Sequence, residues 1–166
     1  MSWTFCTSSN QTEFPAEVNF LRAQNSILER KNSSQVASTI RVMVVEDFQS
    51  FRRFVCSKLA QKPELRIICE VSDGLEAVQK AEEIKPDLIL LDIGLPTLNG
   101  IEAARRIRRL VPESKIIFST QETSADFVQE AMRLGAWAYV FKTHADGDLL
   151  PAIDAVLSGK RFVSSA

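Results

Sequence analysis

Three acids, two hydroxyls and one ammonium each stand directly behind a short apolar run. Glu46 and Asp47 follow VMVV, Asp92 follows LILL, Ser119 and Thr120 follow KIIF, and Lys142 follows AYVF. Such near-continuous aliphatic runs read as parallel strands buried on both faces, so each group is delivered at the carboxyl end of a strand. In an open α/β sheet, ligands bind outside those ends, at the point where the strand order reverses. If the first and third strands are neighbours there, Glu46, Asp47 and Asp92 face one another and repel unless a cation neutralises them. Mg²⁺ suits such a set: it takes oxygen ligands, keeps several waters and is commonly shared between carboxylates and a phosphoryl group. An Asp oxygen can then attack an incoming phosphorus while the metal and Lys142 balance the equatorial charge and Thr120 donates a hydrogen bond. This chemistry moves a phosphoryl group onto the protein itself.

The elements that must hold these groups are legible from Thr39 onward. Apolar runs at Val42 to Val45, Leu65 to Val71, Leu88 to Leu91, Ile116 to Phe118 and Tyr139 to Phe141 read as five strands. Between them lie segments with helical spacing of apolar residues, among them Phe51, Val55 and Leu59, and Ile101, Ala104 and Ile107. Strand and helix in alternation predict a parallel sheet covered on both sides. Asp73-Gly74 and Asn99-Gly100 mark helix starts, and Pro86 and Pro112 mark helix ends.

The blocks VMVVEDFQSFRR, LILLDIGLPTLNG, KIIFST and AYVFK resemble the signature blocks of response-regulator receiver domains, from about Ile40 to Phe162. The resemblance implies a five-stranded, flavodoxin-like doubly wound sheet of order 2-1-3-4-5. It implies Asp92 as phosphoacceptor, with Glu46, Asp47, Asp92 and the backbone carbonyl of Gly94 as Mg²⁺ ligands. It also implies Thr120 as the hydroxyl that follows the phosphoryl group, Tyr139 as the switch aromatic and Lys142 as the family's lysine. Spacing to Gly135 favours Thr120 over Ser119. Two residues depart from the family's usual pattern: Gln121 stands where many receivers have a small residue, and Thr143 stands where many have proline. The implied partners are a sensor histidine kinase or phosphotransfer protein and a downstream target on the face formed by helix 4, strand 5 and helix 5, with a homodimer allowed. The chain most resembles receivers that precede helix-turn-helix outputs, so a stand-alone switch and the amino-terminal piece of a DNA-binding regulator are both open. A phosphorylation-independent interaction module is a further alternative. A haloacid-dehalogenase-type phosphatase fits less well, because Gly94 stands where that family has a second acid.

Composition sets the frame. In 166 residues, 45% apolar against 25% charged is globular composition, and a formal net charge of −1 leaves no footprint for nucleic acid in the total. The run Arg105-Arg106-Ile107-Arg108-Arg109 reads as a solvated helix face, and direct nucleic-acid binding is not expected. Three cysteines without C-x-x-C spacing disfavour a disulfide framework or a metal site, and no apolar run spans a bilayer. The expectation is a soluble cytoplasmic switch rather than a turnover enzyme. Residues 1–38 are expected to be an extension, mobile or carrying one short helix, ahead of a receiver domain at 39–163 and a tail at 164–166.

Overall fold

The computed structural model describes residues 39–165, and the expectations for residues 1–38 lie outside it. Six strands and five helices alternate: β1 (Ile40–Val45), α1 (Gln49–Leu59), β2 (Leu65–Val71), α2 (Gly74–Ile84), β3 (Leu88–Leu91), α3 (Gly100–Leu110), β4 (Lys115–Thr120), α4 (Ala125–Arg133), β5 (Ala138–Phe141), α5 (Ala145–Leu157) and β6 (Phe162–Val163). The strand order is β2-β1-β3-β4-β5-β6, and every pairing is parallel.

The expected five strands stand in the expected order, and a short sixth extends the sheet beyond β5. A strand of two residues carries no periodicity, so Phe162–Val163 is invisible to pattern reading. It forms because the chain returns after α5 to the free edge of β5, where Phe162 N–H donates to the Trp137 carbonyl (3.1 Å) and Ser164 N–H to that of Tyr139 (2.9 Å). Ser164, buried, also receives the Phe141 N–H on its Oγ (3.3 Å).

The alternation of side chains across each strand divides the core in two. Met43, Ile89, Leu91, Phe118 and Tyr139 pack with residues of α2, α3 and α4, and Val42, Val44, Leu90, Ile117 and Val140 pack with α1 and α5. β3 is buried along its whole length, which accounts for its unbroken LILL.

Helix starts are capped as their sequences suggest. Asp73 accepts from the N–H groups of Leu75 and Glu76, Asn99 from Glu102, and Ser124 from Asp126. α1 and α5 are exceptions, since neither Phe48 nor His144 at their N-caps makes a side-chain cap hydrogen bond. The Glu46 carboxylate takes the Phe48 N–H instead (3.1 Å), tying the start of α1 to an acid of the site.

Two arginines of the run on α3 enter a surface network. Glu102 accepts from Arg105 (2.5 Å) and Arg106 (3.1 Å), and Arg105 reaches Glu130 on α4 (3.0 Å). Among the described residues no helix is long and apolar enough to cross a membrane.

Candidate functional site

The ends of β1, β3 and β5 meet at one place because β1 and β3 are paired in register, Val45 opposite Leu91, and the next residue of each strand is an acid. Glu46 and Asp92 are 3% and 5% exposed, while Asp47 stands in solvent. One carboxylate oxygen from each of the three lies within 4.8 Å of the others.

Lys142, the residue after β5, enters this group from the other side. Its Nζ donates to Glu46 (2.8 Å) and to Asp92 Oδ2 (2.7 Å), and it lies 4.8 Å from the centre of the Phe51 ring. Asp92 Oδ1 accepts the Ile93 N–H at 2.7 Å. Both oxygens of Asp92 are therefore oriented. Burial pushes the Glu46 carboxyl above the usual carboxylate range, and the hydrogen bond and charge of Lys142 pull against it. Gly94 lies alongside, where a Cβ would sit 3.7 Å from Asp92 Oδ2.

The donor set fits a single hard cation. The formal charges are −3 from the acids and +1 from Lys142, a sum of −2, and every unpaired donor is a carboxylate oxygen.

The other two expected residues form a second group. Thr120 Oγ1 accepts the Glu122 N–H (3.3 Å), and the Tyr139 hydroxyl donates to the Glu122 carbonyl (2.9 Å). Among the described residues no hydrogen bond joins this pair to the acids. The Tyr139 ring is already fully buried, against Phe118 and Phe141, so a swing from outside is not needed to place it in the core. Burial pushes its phenol well above the usual range, and the charges of Glu122 and Asp92 act in the same direction. The Lys142–Thr143 peptide is trans.

Three contributors escaped the sequence reading. The backbone of Glu122 links Thr120 to Tyr139, Phe51 supplies a ring face to Lys142, and Arg52 donates to the Glu46 carbonyl (2.6 Å). None has a sequence signal: the first acts through its backbone, and the other two look like ordinary helix residues.

The model of the response regulator receiver domain matches residues 42–154. The chain belongs to that family. Its relatives include the transcriptional regulatory protein LiaR of Bacillus subtilis, 35% identical over 126 residues, 76% of this chain and 60% of that protein. The protein-glutamate methylesterase/protein-glutamine glutaminase of Thermotoga maritima is 41% identical over 106 residues, 63% of this chain but 31% of that enzyme, so only a part of the enzyme is matched. The crystal structure of a LuxR-family two-component response regulator from Aurantimonas sp. superposes with a TM-score of 0.71 at 33% identity, covering 75% of this chain and 89% of that one. The chain spans 52% to 60% of the length of the response regulators it matches. It is a receiver of two-component signalling, and its acids form the cluster described above.

Proposed function

We propose that this receiver is a phosphorylation switch whose Asp92 accepts a phosphoryl group from a sensor histidine kinase or phosphotransfer protein. The observation that supports this most is the Asp92 carboxylate: buried, held at both oxygens by Ile93 N–H and Lys142, and beside two further acids. An Asp92 oxygen attacks phosphorus, the bond from phosphorus to the donor's imidazole nitrogen breaks, and an acyl phosphate forms. Lys142 meets the added negative charge. Thr120 Oγ1 only accepts, from the Glu122 N–H, so its O–H remains able to donate to a phosphoryl oxygen. Glu46, Asp47, Asp92 and the Gly94 carbonyl would hold Mg²⁺, which supplies charge neutralisation for the entering phosphoryl group.

Moving Thr120 toward that group pulls on Glu122, and Glu122 carries the Tyr139 hydroxyl. The signal then leaves through α4, β5 and α5, the face we assign to a downstream protein or a second copy. Incubation with acetyl phosphate, followed by intact mass, tests the switch. One labile phosphoryl group per chain, formed with Mg²⁺ and absent with chelator, is expected. Continuous release of inorganic phosphate without a stable adduct indicates an enzyme, and no adduct at all indicates an interaction module.

A further inference from the structure

α1 begins at the acids, because the Phe48 N–H that opens it bonds to the Glu46 carboxylate. Side chains of a helix lean toward its amino terminus, so those in the first turn of α1 reach back toward the site. Phe51 is one of them. It packs against the core layer that holds Val44, Val55 and Leu90, and against Phe54 with 5.5 Å between ring centres.

The Lys142 ammonium sits 4.8 Å from the centre of that ring, inside the range of about 6 Å over which a ring face attracts a cation. Glu46 and Asp92 hold the same ammonium at 2.8 and 2.7 Å. Only 9% of the Lys142 side chain is exposed, so little water competes for the charge, and the attraction of a ring face is stronger where the cation is desolvated. A leucine would be as apolar at position 51, but only an aromatic ring presents negative charge on its face. Lys58 and Lys115 also lie over rings, those of Phe54 and Trp137, yet their other partners are Asp146 and the Val156 carbonyl. The contact to Phe51 is the one that bears on the acids.

We propose that Phe51 is a positioning residue for phosphoryl uptake, acting through Lys142: its ring face holds the ammonium beside Glu46 and Asp92, where an incoming phosphoryl group brings its charge. The two carboxylates change their commitments when a cation and a phosphoryl group enter. The ring binds neither of these, and so keeps the ammonium in place while its anionic partners change. Lysine is a long side chain with much rotamer freedom, and the ring orders it before the phosphoryl group arrives. The contact stands on geometry alone, and its effect on phosphoryl uptake rests on the proposed function.

The test changes the charge on the ring face before it changes the shape. Phenylalanine carrying one, two or three ring fluorines, introduced at position 51 alone, keeps the outline of the ring while draining negative charge from its face. With acetyl phosphate and Mg²⁺, the labelling rate should fall stepwise along this series, by about fivefold with three fluorines, the size of one cation–π contact. The melting temperature should hold, which a merely structural role for the ring cannot combine with a falling rate. Phe51→Leu should label as slowly as the trifluorinated chain. A rate that stays level across the series, or that falls only together with the melting temperature, overturns the positioning role. The contact is read separately in the unphosphorylated chain, where the ring current should move the ε-methylene and ammonium protons of Lys142 upfield and Phe51→Leu should remove that shift. Unshifted protons in the parent overturn the contact. A parent that shows the shift but takes no label overturns the proposed switch and the role in phosphoryl uptake together, and leaves the contact established.

Discussion

Lys142 is the residue on which the charge balance of the site turns, because its ammonium is the common partner of two buried carboxylates. Replacing it with methionine leaves Glu46 and Asp92 without that partner, and breaking a buried pair from one side typically costs about 3–5 kcal/mol. The melting temperature of Lys142→Met in chelator should fall accordingly. Added Mg²⁺ should recover more of it than in the parent, since the cation then meets carboxylates that no ammonium neutralises; equal shifts in both proteins would mean that Lys142 and the cation do not share the same acids. A second residue-scale expectation concerns Cys56, whose thiol is pushed up to about 11, first by burial and then by the nearby Glu70 carboxylate. At pH 8 its thiolate fraction is then about a hundredfold below that of a thiol at the ordinary value of 9.0. Alkylation by iodoacetamide, mapped by peptide mass, should be slowed by about that factor in the native state and should rise with pH toward 11. Native and denatured rates that agree would contradict it. The ionic part of this scale was open to sequence reading, because acids and a lysine directly behind apolar runs announce themselves. Phe51 and Arg52 did not, since a ring under an ammonium and an arginine on a backbone carbonyl leave no pattern in the chain.

The elements keep the site in place through close backbone approaches. Asn99-Gly100 and Asp73-Gly74 were readable as helix starts, yet the structure gives each glycine a second reason. A Cβ at Gly100 would lie 1.9 Å from the carbonyl oxygen of Asp92, and one at Gly74 would lie 1.8 Å from that of Leu98. The helix starts therefore press on the loop that leaves β3. Gly100→Ala should lower the melting temperature by several degrees and, if Asp92 is the acceptor, also slow phosphoryl transfer, because the clash is with the backbone of Asp92. Gly147, exposed in α5 with nothing within 4 Å of its Cβ position, is the control. Gly147→Ala should be neutral or stabilise by up to about 1 kcal/mol, the propensity difference in a helix. A Gly100→Ala variant that melts and labels like the parent would show that α3 can retreat without moving Asp92. Periodicity reveals where a helix begins, but how near it comes to another backbone is a tertiary fact that only coordinates supply.

Over the whole molecule, the sheet order places the chemistry at one end of β1 and β3, and the Thr120, Glu122 and Tyr139 contacts beside β5 offer a way out. The order was legible through resemblance of four blocks, and β6 was not, because two residues carry no period. β6 nevertheless matters at this scale: its neighbour Ser164 bonds to the backbone of both Tyr139 and Phe141, so the strand that carries Tyr139, the proposed switch aromatic, is pinned from its outer edge. If Thr120 is the relay, Thr120→Ala should still be phosphorylated on Asp92 but should lose most of the phosphorylation-dependent change in amide exchange over α4, β5 and α5. A full response in that variant would assign the relay to another group. The expectations about phosphoryl transfer depend on Asp92 being the acceptor, and one measurement tests that directly. After reaction with acetyl phosphate and Mg²⁺, borohydride reduction converts a phosphorylated aspartate to homoserine, which peptide mass then locates in the sequence. Homoserine at position 92 alone, and none in Asp92→Asn, is the expected result; reduction product at Asp47 or any other acid, or none at all, would contradict it.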